Sequence, residues 1–239
     1  MEKVINLGIP HVGEHIFENI DTDELLQYLS VSQTWKILAK RVLLKRWKNR
    51  MFEACKSGKA KIVQLLLEHS ATTELNTRDL LIELNARDQY GGTAFMWACL
   101  NGHKDVVQLL LNHPDKTIEL NATNNIGITS FMYACANGHK DVVKLLLNHP
   151  DKTIELNARS INGTTAFMVA CRRRHKDVVQ LLLNHPDKTI DLNARYDNGM
   201  TAFMLACDNG HKDVVKLLLN HTDKTIELNA RRNDGTTAL

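Results

Sequence analysis

The sequence predicts an all-α solenoid built from a 36-residue repeat, and three observations carry this prediction. Nearly the same string occurs four times, over residues 88–123, 124–159, 160–195 and 196–231. Single residue types keep one register, with a cysteine every 36 residues from Cys99 to Cys207 and an asparagine from Asn85 to Asn229. Each copy also contains two short segments with helical apolar periodicity. A repeat of this length is typical of a solenoid in which each copy is one supersecondary unit.

Each copy is expected to fold as two antiparallel helices followed by a turn-rich loop. In the copy at 88–123, the string TAFMWACLNG predicts a first helix with Thr93 as its N-cap. Gly102 stands where that helix needs a left-handed C-terminal residue. The string DVVQLLL predicts a second, amphipathic helix, and Pro114 follows it where helical geometry is disfavoured.

The repeated pattern D-x-x-G-x-T-A-F-x-x-A-C-x-x-G-H-x-D-V-V-x-L-L-L resembles the ankyrin repeat over Asp88–Arg231. The resemblance implies a solenoid with β-hairpin-like loops over residues 48–239, including a degenerate repeat at 50–87 and a partial repeat at 232–239. The family's Thr-Pro-Leu-His is replaced here by Thr-Ala-Phe-Met, so that Met96 stands where a histidine usually ties neighbouring repeats. The Phe, Met and Cys rows are expected to be core residues.

Residues 5–47 do not follow the repeat and predict three short helices. This segment resembles an F-box over Ile9–Leu38, with matches at Ile9-Pro10, Ile16, Ile20, Asp23-Glu24, Leu25-Leu26, Val31-Ser32 and Trp35. The resemblance implies docking onto the Skp-type adaptor of a cullin-RING ubiquitin ligase. The expected adaptor-binding residues are Ile9, Pro10, Ile16, Phe17, Leu25, Leu26, Val31 and Trp35.

A second interpretation of residues 5–47 is an N-terminal cap that covers the apolar face of the first repeat. The stretch from Ala39 to Ser57 contains neither glycine nor proline and keeps an apolar stripe. It therefore predicts a nearly rigid helical junction between this segment and the solenoid.

Composition narrows the class of protein. A net charge of +3 over 239 residues gives no argument for nucleic acid or an anionic membrane as partner. The five cysteines recur at one helix position instead of in pairs, and no apolar leader follows Met1. These features favour a reduced, cytoplasmic protein that could also enter the nucleus and is a monomer outside its complex.

No cofactor, metal site or catalytic constellation is predicted. The regular histidines, one after each glycine and one after each second helix, would be too far apart to share a metal, because packed helices stand about 8–10 Å apart. Capping and loop hydrogen bonds are expected of them instead.

Differences between the copies are concentrated in the loop tips and first helices, where the ankyrin resemblance implies a concave recognition surface. Neutral drift after duplication would also leave such differences. The predicted partner-binding residues are Gln89, Tyr90, Trp97, Leu100, Asn125, Ile126, Tyr133, Ile161, Arg172, Arg173, Arg174, Tyr196, Asp197, Met200 and Asp208.

Arg174 is unusual among these residues because it replaces the glycine of the other copies. A positive φ there would cost a residue with a Cβ roughly 1 kcal/mol. Arg172, Arg173 and Arg174 are therefore expected to receive an acidic group of the partner. The sequence as a whole predicts a non-enzymatic substrate receptor of a ubiquitin ligase, with a plain ankyrin scaffold or decoy as the alternative.

Overall fold

The computed structural model describes residues 33–70, 84–113, 118–149, 154–185, 190–221 and 226–238. These residues form ten helices: α1 (Gln33–Lys56), α2 (Ala60–Ser70), α3 (Ala94–Leu100), α4 (Lys104–Leu111), α5 (Ser130–Ala136), α6 (Lys140–Leu147), α7 (Ala166–Arg172), α8 (Lys176–Leu183), α9 (Ala202–Asp208) and α10 (Lys212–Leu219). Each of the four predicted copies contains one pair of these helices. Cys55 and Cys99 are 44 residues apart instead of 36, which predicts an insertion of eight residues near Thr72–Leu81. This insertion and the helices expected before residue 33 lie outside the described ranges.

The helices pack in two rows along the chain. The first-helix row consists of α1, α3, α5, α7 and α9, and the second-helix row consists of α2, α4, α6, α8 and α10. One continuous core lies between the rows. The Phe and Met rows are all buried: Phe95, Phe131, Phe167, Phe203, Met96, Met132, Met168 and Met204. The prediction that these residues form the core is confirmed.

Local sequence determines where each first helix begins. The Thr93 hydroxyl accepts a hydrogen bond from the backbone N–H of Met96 at 3.2 Å, as a helix N-cap does. Thr129, Thr165 and Thr201 make the same bond in the other copies. Gly102 follows α3 with φ of 73°, the left-handed geometry expected from the sequence.

Helix α1 is longer than any other described helix and crosses the predicted boundary between residues 47 and 48. It runs for 24 residues without a break, as the absence of glycine and proline predicts. Trp47 and Met51 are buried in the solenoid core, and Val42 is also buried. The Trp47 Nε1–H donates to the carbonyl oxygen of Leu66 on α2 at 3.3 Å. The predicted third N-terminal helix and the first repeat helix are therefore one helix.

The loops expected to resemble β-hairpins are turns, and the described residues contain no strand. Thr123 and Thr129 form an isolated antiparallel bridge. The physical reason is visible at Asn124, whose side-chain oxygen accepts from the N–H groups of Ile126 and Ile128 at 3.1 and 2.9 Å. An Asx side chain thus takes donors that a strand ladder would otherwise use.

The histidines that begin the second helices tie neighbouring repeats together. The Nε2 atoms of His139, His175 and His211 lie 2.8 Å from the carbonyl oxygens of Leu100, Ala136 and Arg172 in the preceding copy. His103 bonds Lys56 in the same way at 2.9 Å. The expected side-chain capping is absent at these four histidines, because the ring reaches the previous repeat instead.

The cysteines are free thiols in the core, with one exception. Cys55, Cys99, Cys135 and Cys171 are buried, as expected. Cys207 is only half-buried, which corrects the prediction for that residue. It lies on α9, and in the described residues no further first helix packs over α9 as α9 packs over α7.

Candidate functional site

The loop tips of neighbouring copies are joined by main-chain hydrogen bonds. The N–H of Asn125 donates to the carbonyl of Tyr90 at 3.0 Å, and that of Ile161 donates to Ile126 at 3.1 Å. Asp197 and Asn233 continue the series by donating to Asn162 and Asn198 at 3.3 and 3.0 Å. The tips therefore form one ladder whose members hold fixed positions relative to one another.

Three large apolar side chains stand exposed on this ladder. Tyr90, Ile126 and Ile161 are 63, 58 and 73% exposed and lie on consecutive tips. We call these three residues the apolar row. Tyr196 on the next tip is half-buried, and its hydroxyl accepts from the Asn162 side-chain amide at 2.6 Å. A row of this kind offers hydrophobic area to a binding partner.

Two aromatic residues of the first helices are held against the loops that precede them. Trp97 Nε1–H donates to the Asp88 carboxylate at 2.8 Å, and the Asn124 amide donates to the Tyr133 hydroxyl at 2.8 Å. Partial burial raises the pKa of Tyr133; the Asn124 hydrogen bond opposes this rise and the Asp88 charge adds to it. Both rings are half-buried and have fixed orientations.

The three consecutive arginines at the C-terminal end of α7 differ in their surroundings. Arg174 has φ of 64°, the only positive φ of a non-glycine residue in the described chain, as the sequence predicts. Its Nε lies 3.1 Å from Oδ1 of Asp213 in the next copy. Partial desolvation would raise the pKa of Asp213, but hydrogen bonds from Arg174 and from backbone N–H groups bring it below its ordinary value. Arg173 is exposed and Arg172 is half-buried.

All fifteen residues predicted to bind a partner are exposed or half-buried in the structure. Gln89, Asn125, Asp197 and Asp208 are exposed, and Leu100 and Met200 are half-buried. Asp208 pairs with Arg232 of the following loop. The structure thus brings the residues of the loop tips together in one ladder and engages Arg174 and Asp208 in ion pairs within the chain.

Sequence reasoning missed two series of contacts between copies. Arg87, Arg159 and Arg195 each donate to the main-chain carbonyl 36 residues further on. The side-chain oxygens of Asn85, Asn121, Asn157 and Asn193 accept from backbone N–H groups 34 residues further on, at 3.0–3.1 Å. The fixed period of these residues was the available signal, since a polar side chain that recurs in register can bond its neighbour.

A cleft lined by Lys48, Phe52 and Lys56 was also missed, because these residues lie on α1 outside the four clear copies. Of the predicted adaptor-binding residues, Trp35 lies on α1, whereas Ile9, Pro10, Ile16, Phe17, Leu25, Leu26 and Val31 lie outside the described residues.

Across the described ranges, no group of three or more His, Cys, Asp or Glu could hold a metal ion. None of the helices described here combines the length and apolar character needed to cross a membrane.

Stacked helix pairs with capped first helices and bonded loop tips define a repeat protein of the ankyrin class. The family model of ankyrin repeats in three copies matches residues 20–124, 51–160, 117–196 and 188–239. The chain belongs to the ankyrin-repeat family. Ankyrin repeats are protein-interaction modules and are in general not enzymes.

Two curated relatives share short segments with the chain. Osteoclast-stimulating factor 1 of Monopterus albus is 58% identical over 33 residues, which are 14% of this chain and 15% of that protein. Osteoclast-stimulating factor 1 of Danio rerio is 35% identical over 67 residues, which are 28% of this chain and 26% of that protein. The chain therefore spans about a quarter or less of the relatives that it matches.

Proposed function

We propose that this chain is a non-enzymatic adaptor that holds a target protein on its loop tips and first helices. The apolar row carries the proposal. Tyr90, Ile126 and Ile161 are exposed by more than half on consecutive tips, although the main chain beneath them is hydrogen-bonded from copy to copy. Preorganised apolar residues bind a partner with little loss of conformational entropy.

Further predicted partner-binding residues lie on the first helices and extend the proposed surface beyond the apolar row. Trp97 and Tyr133 lie on the first helices, and the indole N–H of Trp97 and the hydroxyl of Tyr133 are hydrogen-bonded to the preceding loops. Aromatic residues with one polar end are enriched at the energetically dominant points of protein interfaces. Arg172 and Arg173 extend the proposed surface toward an acidic part of the target, with Arg174 already paired to Asp213.

The test is quantitative capture of cellular proteins by the immobilised full chain. Ile126→Asp/Ile161→Asp should reduce capture of the true target by about tenfold or more, because two charges replace apolar contacts at the centre of the surface. Leu219→Asp is the matched control, since Leu219 is 53% exposed on α10. Equal capture by the wild type and the double variant would contradict the proposal.

We further propose that residues 5–47 dock the Skp-type adaptor of a cullin-RING ubiquitin ligase, so that the bound target is presented for ubiquitination. The F-box-like pattern from Ile9 to Trp35 supports this role. So does α1, which runs unbroken from residue 33 into the first helix pair and would fix the adaptor relative to the solenoid.

Titration of the full chain with purified Skp-type adaptor tests this extension. Leu26→Asp and Val31→Asp should each abolish binding, because a charge in an apolar docking helix is costly to desolvate. Leu219→Asp should bind as the wild type does. Adaptor binding that survives both substitutions would exclude the proposed docking residues.

A plain interaction scaffold is the alternative, with residues 5–47 serving as an N-terminal cap. Two observations favour it: the ankyrin family match begins at residue 20, and Trp47, at the end of this segment, is buried in the solenoid core. Failure of the wild-type chain to bind the adaptor would decide for the scaffold and leave target binding by the loop tips intact.

A further inference from the structure

An open cleft with a volume of about 440 Å³ lies between α1, α3 and the loop that precedes α3. Phe52 and Trp97 provide two half-buried aromatic rings. The remaining lining residues are Lys48, Asn49, Glu53, Lys56, Arg87, Asp88 and Gln89. The cleft is therefore aromatic on two sides and carries three cationic side chains.

The two lysines are positioned by aromatic rings and by the backbone. Lys56 Nζ lies 5.2 Å from the centroid of the Trp97 ring, and Lys48 Nζ lies 6.0 Å from that of Phe52. Lys48 Nζ also donates to the carbonyl of Arg87 at 3.1 Å. Cation–π contacts of this length restrain an ammonium group while leaving its other donors accessible.

The two acidic residues of the cleft, Asp88 and Glu53, differ in how far their charge opposes that of the lysines. Asp88 accepts hydrogen bonds from the N–H groups of Tyr90 and Gly92 and from Trp97 Nε1, each at 2.8 Å, so its carboxylate is engaged in holding the loop. Glu53 is exposed on α1 and opposes the lysines.

Charge is distributed unevenly between α1 and the rest of the chain. Helix α1 contains eight Lys and Arg residues and a single acid, Glu53, which gives it a net charge of +7. The whole chain has a net charge of +3, to which residues 1–32 contribute −5 and residues 57–239 contribute +1. Among the described helices, the excess of positive charge is therefore concentrated on α1, which forms one wall of the cleft.

We infer that this cleft binds a short acidic segment of the target protein, with Lys48 and Lys56 facing its carboxylates and Phe52 and Trp97 packing against its side chains. Arg87 is held at the edge of the cleft by the carbonyl oxygens of Gly91 and Thr123. The inference rests on the proposed function and specifies one part of the target. A protein segment is favoured over nucleic acid because Gln89 and Trp97, which line the cleft, also belong to the proposed target-binding surface.

The probe is a random peptide library displayed on phage and selected on the immobilised full chain. Enriched peptides are synthesised with a fluorophore, and their affinities are measured by anisotropy for five proteins: wild type, Lys48→Glu/Lys56→Glu, Glu53→Gln, Ile126→Asp/Ile161→Asp and Lys61→Glu/Lys104→Glu. The last variant is the matched control, because it makes the same charge change on exposed residues of the second-helix row.

The expected peptides are rich in Asp and Glu. Their binding should fall about tenfold or more in Lys48→Glu/Lys56→Glu and weaken as salt is raised. It should tighten in Glu53→Gln and change little in the control.

Equal loss in the cleft variant and in the control would overturn the inference, as would enriched peptides without acidic residues. Tight binding of a labelled single-stranded oligonucleotide that depends on Lys48 and Lys56, without acidic peptides, would overturn it in favour of nucleic acid. Peptides that depend on Ile126 and Ile161 but not on the lysines would refute the cleft and leave the proposed function standing. Failure to enrich any peptide would contradict both.

Discussion

Gly138 meets two requirements at once, one in its own backbone and one across the repeat boundary. Its φ is 72°, a conformation that L-residues with a Cβ rarely adopt. A Cβ built on it would lie 2.4 Å from Nδ1 of His175, whose Nε2 bonds Ala136. Gly210 has φ of 67° but nothing within 4 Å of the same point.

The two glycines therefore separate the backbone cost of a substitution from its packing cost. Gly210→Ala should lower the free energy of unfolding by about 1 kcal/mol through backbone strain alone. Gly138→Ala should cost about 2 kcal/mol, because the displaced histidine also loses its hydrogen bond to the preceding copy. Urea unfolding followed by circular dichroism measures both values. Equal losses would show that the histidine ring yields without cost.

The buried thiols predict a loss of stability in alkali. Burial raises the pKa of Cys55 to about 12 and also raises the pKa values of Cys99, Cys135 and Cys171. In the unfolded chain these thiols ionise near pH 8.5. The folded state thus retains more protons above that pH, and the free energy of unfolding falls as pH rises toward 12.

Each buried thiol lowers the free energy of unfolding by about 1.4 kcal/mol per pH unit, once that thiol is ionised in the unfolded chain but still protonated in the folded one. Cys135→Ala should remove one such contribution from the slope measured by urea unfolding between pH 9 and 10.5. Cys207→Ala should change the slope less, since Cys207 is half-buried. If Cys135→Ala left this slope unchanged, the claim that the buried Cys135 thiol stays protonated in the folded state would be contradicted.

Among the elements, α1 connects the segment before the clear repeats with the solenoid core. Its basic residues give it a charge unlike that of the other helices, while Trp47 and Met51 pack into the solenoid core. Trp47 is 9% exposed and bonds α2 through its indole nitrogen. The helix is consequently part of the fold as well as the junction predicted from its lack of glycine and proline.

Substitution of Trp47 tests how much the solenoid depends on α1. Trp47→Ala should cost about 3–5 kcal/mol of unfolding free energy, as truncation of a large core residue does. Trp47→Phe should cost about 1–2 kcal/mol, because it keeps most of the apolar contact and loses the bond to Leu66. Thermal and urea unfolding of the full chain give both values. A change below 0.5 kcal/mol in Trp47→Ala, roughly that of a surface site, would separate α1 from the core.

At the scale of the whole molecule, each helix pair contacts the pairs before and after it. Stability in such an array is about a sum of repeat terms and interface terms between neighbours. The side chains of α10 show the consequence: Leu219 is 53% exposed, whereas its counterparts Leu111 and Leu183 are buried and Leu147 is half-buried. Among the described helices, α9 and α10 pack against one neighbouring pair, whereas each central pair packs against two.

Hydrogen exchange should reveal this gradient directly. Backbone amides of α9 and α10 are expected to exchange faster than those of α5 to α8, since the central pairs have two packed neighbours. Mass spectrometry of peptides from matched positions of the copies provides the comparison, because their second-helix sequences are nearly identical. Equal protection along the array would indicate one fully cooperative unit.

Much of the fold could be predicted from the sequence alone because the same pattern of helix caps, glycines and apolar residues occurs in four copies. The threonine caps, the left-handed glycines and the apolar rows all depend on local geometry or on helical period, and the structure confirms them. The positive φ at Arg174 followed from its alignment with glycines of the other copies. The predicted partner surface and adaptor-binding residues stay predictions.

Tertiary structure decided the contacts between copies. No local rule states that His139 bonds Leu100, that Arg174 pairs with Asp213, or that Lys56 lies over Trp97. Each joins residues 39 to 41 positions apart, and the stacking of one repeat on the next determines which atoms meet. The sequence by itself determined the repeat unit and its helices, since these depend on short-range geometry. The ladder of loop tips and the basic cleft required the assembled solenoid, because only packing brings distant side chains within bonding distance.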